Sequence, residues 1–207
     1  MSNVLDLNGL SIEMLHELSY KSNLGLSLKK DLKYFDRGQL IDEIIAMTEW
    51  YDTCEVLVES ALDYRIKSKD SVLLKYDRYY PDHQCRKVFN DVLGFRAFCD
   101  SYQEVLALEA NDLRVADLSV GKANDDGYRG VHVYYQIDNS YYPIEIQFNT
   151  LYDRQFNNWL HQYFYKKGYR DEIGRILRES YELGKIRSEA DFKEALGNVL
   201  FDSKRSK

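Results

Sequence analysis

Apolar residues recur at helical spacing near both ends of the chain and alternate with polar residues in its middle. Helical spacing occurs in residues 11–21, 37–62 and 150–167, which predicts helices there. Alternation occupies residues 128–138 and 142–148, which predicts two strands with one face buried. The short polar segment between them contains Asp, Asn and Ser, so we expect it to form the turn of a hairpin.

The other predicted elements are short. In chain order they are a basic loop at 25–33, a strand at 63–67, a helix at 69–79, a strand at 88–100, a helix at 101–109, a strand at 113–119, and helices at 170–184 and 188–201. Helices before and after about five strands are typical of an α+β (mixed α/β) fold with one mixed sheet. A chain of 207 residues suits one domain. We expect it to comprise N-terminal helices at 1–61, a core at 62–167 and C-terminal helices at 168–207.

Composition and charge narrow the possible partners and compartments. The net charge of −6 and the pI near 5.3 argue against a generic nucleic-acid coat protein, so any RNA must bind to a local basic patch. Cys54, Cys85 and Cys99 lack metal-ligand spacing and are expected to be free thiols in a reducing compartment. The chain begins without a secretory signal and has no apolar stretch of the ~20 residues that span a bilayer. These features predict a cytoplasmic protein that does not contact a membrane.

A basic segment surrounds the strand and helix predicted at 63–79. Its cations and one hydroxyl repeat at intervals of four, four and three residues: Lys67, Ser71, Lys75 and Arg78. They share one helical face if the helix begins early. Such a face suits a polyphosphate, although a solvated basic face has the same pattern.

Two carboxylates interrupt apolar strands, Asp91 within 88–100 and Glu145 within Ile144-Glu145-Ile146. A carboxylate that points into a sheet is costly unless it is paired or binds a cation. Two of them on neighbouring strands suit Mg²⁺, which is commonly held by one or two carboxylates together with phosphate oxygens. The alternative is that each acid points to solvent from the polar face of its strand.

The segment 121–132 (GKANDDGYRGVH) combines glycines, cations and one aromatic ring. A loop with Gly127 before Tyr128, Arg129 and His132 can present a ring for stacking on a base beside positive charges. A plain hairpin connection is the alternative. The segment is not a Walker-type phosphate loop, because the Gly-Lys-Ser/Thr ending is missing.

Taken in this order, the segments resemble the synthetase domain of the RelA/SpoT alarmone enzymes, particularly the single-domain small alarmone synthetases. The resemblance covers about half of the chain, residues 65–166. It is carried by Arg65-Ile-Lys67-Ser68 with Ser71 and Lys75, by Asp91-Val-Leu-Gly-Phe-Arg96, by Gly127-Tyr-Arg-Gly-Val-His132, by Ile144-Glu-Ile-Gln147 with Thr150, and by His161 with Tyr165-Lys166.

The resemblance implies a nucleotidyltransferase-like fold and transfer of the β,γ-pyrophosphate of ATP to a ribose 3′-hydroxyl, with release of AMP. Asp91 would bind Mg²⁺, and Glu145 would accept the hydroxyl proton or also bind the metal. The implied ATP-binding residues are Arg65, Lys67, Ser71, Lys75, Arg78 and Arg96. The implied acceptor-binding residues are Lys122, Tyr128, Arg129, His132, Gln147 and His161. A hydrolase domain is not expected in a chain of this length.

Departures from the family pattern lie on the acceptor side. Asn149 stands where the family has Arg, Gly130 where it has Ser, and the loop before Tyr128 is longer and more acidic. They resemble the toxic branch, whose members are neutralised by a protein antitoxin and some of which modify the CCA end of tRNA. The lost cation and added carboxylates disfavour a free GDP or GTP.

We therefore expect tRNA as acceptor, with no role for DNA. Its phosphates would contact cations outside the cleft: Lys29, Lys30, Arg114 and Lys166. The alternatives are a conventional synthetase that uses GDP or GTP, a synthetase of adenosine alarmones, and a catalytically inactive RNA-binding or regulatory protein with the same fold.

Overall fold

The computed structural model describes residues 4–58, 60–109 and 112–205. These residues form two compact units. Within the described residues, the first unit lies in the ranges 4–97, 103–116 and 132–148, and the second lies in the ranges 98–102, 117–131 and 149–205.

The secondary structure alternates between helices and short strands. The helices are α1 (Ile12–Glu17), α2 (Arg37–Asp52), α3 (Glu55–Val58), α4 (Lys69–Tyr79), α5 (Cys85–Val88), α6 (Tyr102–Leu106), α7 (Leu151–Tyr163), α8 (Asp171–Glu182) and α9 (Glu189–Arg205). The strands are β1 (Tyr64–Ile66), β2 (Leu93–Phe98), β3 (Leu113–Asp117), β4 (Val131–Tyr135) and β5 (Ile144–Asn149). None of the helices in the described ranges is long and apolar enough to cross a bilayer.

The five strands form one mixed sheet in the order β1-β2-β5-β4-β3. The predicted fold class, a mixed α/β sheet of about five strands with flanking helices, is confirmed. The hairpin prediction agrees with the adjacent positions of β4 and β5, and the backbone N–H of Ser140 donates to Asp138 Oδ1 at 2.6 Å in the turn.

Alternation along the strands separates a core face from a polar face. Phe95, Val133 and Ile146 are each no more than 1% exposed, so they belong to the core of the first unit. Because successive side chains in a strand point to opposite faces, the intervening positions of β2, β4 and β5 share the other face. Glu145 and His132 are among those intervening residues.

Helix starts follow the capping residues in the sequence. The hydroxyls or carboxylates of the residues before α1, α2, α4 and α7 each accept a hydrogen bond from a backbone N–H in the first turn: Ser11, Asp36, Ser68 and Thr150. Such caps satisfy donors that have no partner within the helix.

The helix predicted at 37–62 is interrupted. It ends at Asp52, and the backbone N–H groups of Thr53 and Cys54 bond carbonyls three residues earlier, at 3.2 and 3.3 Å. The Thr53 hydroxyl also donates to the carbonyl of Trp50 at 3.2 Å. A threonine hydroxyl that bonds nearby carbonyls competes with helix propagation, which accounts for the break before α3.

The strand predicted at 88–100 begins only at Leu93. Val88 ends α5, and residues 89–92 form a turn, so Asp91 precedes the strand and does not lie within it. Phe89 and Val92 are buried in that turn. A short apolar run shows burial but does not distinguish a strand from a buried turn, which explains the wrong boundary.

The second unit has its own aromatic core, formed by α7, α8, α9 and the segments that follow α7 and α8. Its buried residues are Phe156, Trp159, Leu160, Phe164, Ile173, Leu177, Tyr181, Ile186, Phe192 and Leu196. The helix predicted at 150–167 ends at Tyr163 and continues after Phe164 as a 3₁₀ turn, Tyr165–Lys167.

Candidate active site

Asp91 lies at the centre of a cluster of cations in the first unit. Lys67 Nζ donates to its Oδ2 at 2.6 Å, and Lys75 Nζ donates to its Oδ1 at 2.8 Å. Arg65 Nη2 is 3.8 Å from Oδ2. Side-chain exposure is 14% for Asp91 and 10% for Lys67, so this pair is shielded from most solvent.

The prediction that Lys67 shares a helical face with Ser71, Lys75 and Arg78 is wrong. Helix α4 begins at Lys69, and Lys67 lies between β1 and the helix. Lys67 and Lys75 nevertheless converge, because both bind Asp91. Ser71 Oγ is 2.9 Å from Ser68 Oγ, and Arg78 is exposed in the last turn without contacting Asp91.

Burial and charge act in opposite directions on this cluster. Burial alone would raise the pKa of the Asp91 carboxyl, but Lys75 and Lys67 outweigh it and hold that pKa below its usual value. Burial lowers the pKa of the Lys67 ammonium, and Asp91 only partly offsets this. Asp91 is therefore ionised at neutral pH, between two ammonium groups.

We expect the stabilising effect of Asp91 to disappear in acid. An unfolded Asp titrates near pH 3.9, and a depressed folded-state pKa stabilises the fold above that value. This contribution falls as the pH drops through the folded-state pKa. Urea unfolding of wild type and Asp91→Asn should give a difference in unfolding free energy that is constant from about pH 7 to 5 and shrinks below about pH 4. A difference unchanged down to about pH 2.5 would contradict this.

Glu145 is a buried acid on the polar face of the sheet, at 5% exposure. Tyr134 donates its hydroxyl to Oε1 at 3.0 Å, and His132 Nδ1 is 3.1 Å from the same oxygen. Gln147 Nε2 donates to Oε2 at 2.6 Å. Three neighbours from β4 and β5 therefore fix the orientation of the carboxylate.

The two acids influence each other electrostatically. Burial raises the pKa of Glu145 and the nearby charge of Asp91 adds to that rise, but the hydrogen bond and charge of His132 outweigh both. The pKa of Glu145 is therefore below its usual value. Burial and Glu145 raise the pKa of the Tyr134 hydroxyl, so this hydroxyl stays protonated and acts as a donor.

Glycine at position 94 leaves space beside Glu145. A Cβ there would lie 3.7 Å from Glu145 Oε2, and Arg65 is paired with Gly94 across β1 and β2. Arg96 is two residues further along β2 on the same face, and its Nη1 is 3.5 Å from Asp63 Oδ1. Both arginines thus border this part of the face.

The donor set of the two acids fits a divalent cation. In the described ranges, no group of three or more His, Cys, Asp or Glu side chains is arranged to hold a metal ion. A metal here would depend on Asp91 and Glu145 together with oxygens of a substrate. Such a set is typical of Mg²⁺, and each carboxylate oxygen can accept more than one partner.

The predicted acceptor loop lies in the second unit and has paired charges. Lys122 Nζ donates to Asp126 Oδ2 at 2.6 Å, and the Arg129 guanidinium donates to both oxygens of Asp125 at 2.7 and 3.0 Å. Lys122 Nζ is also 5.0 Å from the centroid of the Tyr128 ring. The loop thus brings Lys122, Tyr128 and Arg129 together.

These ion pairs alter the electrostatic effect expected of the acidic loop on an acceptor. Both added carboxylates are neutralised by cations of the same loop, so the expected repulsion of a charged acceptor by them loses its basis. Asn149, at the position of the family's Arg, is 2% exposed, and its Nδ2 donates to the carbonyl of Arg129 at 2.9 Å. It supports the loop backbone.

Arg178 of α8 is completely buried and holds the same loop. Its Nε donates to the carbonyl of Gly127 at 2.7 Å, its Nη1 to Asp153 Oδ1 at 2.6 Å and its Nη2 to Asn157 Oδ1 at 3.1 Å. Asn157 in turn donates to the carbonyl of Arg129 at 2.7 Å. Arg178 was not predictable as a site residue from the sequence, because a single arginine in an amphipathic helix normally faces solvent.

Close backbone packing also fixes the loop on α8. A Cβ at Gly127 would lie 2.4 Å from the carbonyl oxygen of Gly174, and a Cβ at Gly174 would lie 2.0 Å from that of Asp126. Gly127 also has a φ of +87°, which disfavours side chains. These two glycines allow the loop to approach the helix.

The remaining predicted residues are distributed over both units. Lys29 and Lys30 are exposed in the loop before the 3₁₀ turn Leu32–Tyr34, and Arg114 is exposed on β3. His161 is exposed on α7. Lys166 follows α7, but its side chain lies outside what the structure describes.

Among known proteins, similarity to this chain is found with solved structures and not at the level of sequence families. No protein-family model matches the chain, and no curated protein sequence matches it. Small alarmone synthetase 1 from Bacillus subtilis bound to its product pppGpp is 18% identical, with a TM-score of 0.43 over 79% of this chain and 88% of that chain. Small alarmone synthetase 2 from the same organism is 19% identical, with a TM-score of 0.39 over 83% and 96%. A GTP pyrophosphokinase family protein from Streptococcus pneumoniae is 20% identical, with a TM-score of 0.38 over 82% and 90%. These values are too low to assign the chain to their family.

Proposed function

We propose that this chain is an ATP-dependent pyrophosphotransferase that modifies a ribose 3′-hydroxyl, preferably that of the CCA end of tRNA. The observation that carries the proposal is a pair of carboxylates in the first unit. Asp91, in the turn before β2, is bound by Lys67 and Lys75, and the buried Glu145 of β5, which three neighbours orient, is influenced by the charge of Asp91. A row of cations beside two carboxylates is the combination that phosphoryl transfer requires.

The donor side is formed by the Asp91 cluster. Lys67 and Lys75 would neutralise phosphate oxygens of ATP, with Ser71, which shares α4 with Lys75, as an additional donor. Arg65 and Arg96 border the face and would contact adenine, because guanidinium planes stack on aromatic rings. Arg78, in the last turn of α4, would act at longer range.

The acceptor side centres on Glu145. The ionised carboxylate would accept the proton of the 3′-hydroxyl, while Tyr134, His132 and Gln147 hold it in place. The oxygen then forms a bond to the β-phosphorus of ATP, the bond between that phosphorus and the α–β bridging oxygen breaks, and AMP leaves. Lys67 and Lys75 counter the charge on the departing α-phosphate. Mg²⁺ bound by Asp91 and Glu145 would neutralise phosphate oxygens as a Lewis acid.

The acceptor base would stack on Tyr128, with Lys122, Arg129 and His161 as further contacts. An RNA acceptor is supported by exposed cations outside the carboxylate cluster, namely Lys29, Lys30 and Arg114 in the first unit, and by the motif resemblance to the toxic branch. In this role the enzyme blocks aminoacylation and translation, and a protein antitoxin restrains it. The GDP or GTP reaction is the second candidate, because the balanced charges of the Tyr128 loop do not repel a charged nucleotide.

One experiment separates these acceptors. The protein is incubated with γ-labelled ATP and Mg²⁺ in parallel with tRNA, GDP and GTP, and the products are separated by gel and thin-layer chromatography. We expect label at the 3′ end of tRNA and stoichiometric AMP. Label on GDP or GTP alone would contradict the tRNA acceptor and support the alarmone reaction. The absence of AMP release with every acceptor would contradict pyrophosphotransfer.

Asp91→Asn should lower the rate of AMP release at least about 100-fold at saturating ATP. The neutral amide cannot counter the charges of Lys67 and Lys75 or bind a metal in the same way. Asp77→Asn is the matched control, because it neutralises an exposed acid of α4 that is paired with Arg37. Equal rates in wild type and Asp91→Asn would indicate a catalytically inactive protein or a different site.

Tyr128→Leu should raise the KM for the acceptor by about 5- to 150-fold, because stacking of a base on an aromatic ring contributes about 1–3 kcal/mol. The KM for ATP should stay within about twofold. Tyr128→Phe keeps the ring and should retain most acceptor binding. A Tyr128→Leu enzyme with wild-type acceptor kinetics would remove Tyr128 from the acceptor site.

A further inference from the structure

A cavity of about 430 Å³ in the first unit has more cations than carboxylates in its lining. Its charged lining residues are Arg86 and Lys87 from α5, Arg114 from β3, and Asp112 and Asp138. Asp138 is held in the turn, where its Oδ1 accepts the backbone N–H and the hydroxyl of Ser140 at 2.6 and 2.7 Å, and the three cations outnumber the two carboxylates by one. The cavity is therefore suited to an anion.

Tyr134 connects this cavity with Glu145. Tyr134 lines the cavity, and its hydroxyl donates to Glu145 Oε1 at 3.0 Å. The guanidinium carbon of Arg114 lies 4.1 Å from the centroid of the Tyr134 ring. Tyr134 thus borders both Glu145 and the cavity, with Arg114 against its ring.

The basic N-terminal loop is attached to the wall of the cavity. The backbone N–H of Arg86 donates to the carbonyl of Leu28 at 2.9 Å, and that of Leu28 donates to the carbonyl of Asn139 at 2.8 Å. Arg86 and Asn139 both line the cavity. The exposed Lys29 and Lys30 follow Leu28 directly, so positive charge continues along the chain beyond the cavity.

We infer that this cavity, through Arg86, Lys87 and Arg114, binds the phosphate on the 5′ side of the acceptor nucleoside. The inference rests on the proposed function, since it takes Glu145 as the position of the acceptor 3′-hydroxyl. The phosphate can belong to the last phosphodiester of an RNA strand or to the 5′-diphosphate of a free nucleotide. The volume lies in the usual range of small-ligand pockets, about 300–1,000 Å³, and suits one nucleotide unit.

Kinetics of Arg86→Gln test the assignment and identify the source of the phosphate. With an RNA ending in CCA we expect the KM to rise about tenfold, while kcat and the KM for ATP stay within about twofold. The slope of log KM against log salt should fall by about 0.7, the value for one lost phosphate contact on a single strand. A rise in KM with GDP alone would support the assignment of the cavity as a phosphate site, with a free nucleotide as its ligand. Lys193→Gln, which removes an exposed cation paired with Glu189 on α9, is the control. No rise with either acceptor, or an equal rise in the control, overturns the inference.

A binding experiment keeps this inference separable from the proposed function. Fluorescence anisotropy compares a CCA-ended RNA with the same RNA carrying a neutral methylphosphonate at its last linkage. The neutral linkage should weaken binding to wild type about tenfold and leave binding to Arg86→Gln nearly unchanged. Equal weakening in both proteins, or none in wild type, contradicts the RNA assignment, even if the enzyme transfers pyrophosphate. If no acceptor is modified but the linkage effect appears, the proposed function fails and the cavity assignment stands.

Discussion

Glu145→Gln should lower kcat about 10²- to 10⁴-fold, the usual contribution of a positioned general base. The amide has nearly the same shape as the carboxylate but cannot take the hydroxyl proton. Tyr134 and His132 would contact a neutral amide and no longer a carboxylate, while the ATP-binding residues around Asp91 stay intact. We therefore expect the KM for ATP to change little. Steady-state kinetics with the labelled acceptor measure both constants.

The pH profile provides a second test of Glu145. Because its pKa is below the usual value of about 4.3, wild-type kcat should not decline through Glu145 protonation between about pH 8 and 5. Glu104→Gln is the matched control, since Glu104 is an exposed carboxylate on α6. A Glu145→Gln enzyme that retains more than about a tenth of wild-type kcat would assign proton transfer to another group.

Arg178→Met should lower the free energy of unfolding by about 3–5 kcal/mol, the usual cost of breaking a buried ion pair by removing one partner. Asp153 would remain buried with only the Tyr102 hydroxyl and Thr150 as partners. The carbonyl of Gly127 would lose its charged donor. Urea unfolding followed by circular dichroism measures this change.

Two further variants isolate the ion pair. Arg175→Met removes an exposed arginine from the same helix, paired with Glu179, and should change stability by less than about 1 kcal/mol. Adding Asp153→Asn to Arg178→Met removes the uncompensated charge and should restore part of the lost stability. A loss for Arg178→Met no larger than for Arg175→Met would show that the buried pair contributes little.

Local patterns were sufficient for the secondary structure in most places, and they failed where turns are buried. The helix Lys69–Tyr79 matches its predicted bounds, because Ser68 caps its start and Pro81 follows its end. The strand predicted at 88–100 lost its first five residues, because burial in a turn leaves the same apolar signal as burial in a strand. That difference is essential for the site, since the turn places Asp91 where Lys67 and Lys75 can reach it.

The sequence predicted which residue types form the candidate site better than it predicted which side chains these residues contact. Glu145 stood out as an acid between two isoleucines, and its burial agrees with the idea of an inward carboxylate. Its contacts with Tyr134 and His132 follow from the pairing of β4 and β5, which the hairpin pattern indicated. The pairing of Asp125 and Asp126 with loop cations was not anticipated, because side-chain pairing within a long loop depends on its backbone path.

Residue order alone was enough to divide the sheet into an apolar and a polar face, to cap four helices and to select the acids and cations of the candidate site. Folding was required to join Asp91 with Lys67 and Lys75, which are 24 and 16 residues away, and to bury Arg178 under Gly127, 51 residues away. The reason is physical. Periodicity reflects the local geometry of strands and helices, whereas these contacts depend on chain reversals and on the burial of charges that become stable only when their distant partners arrive.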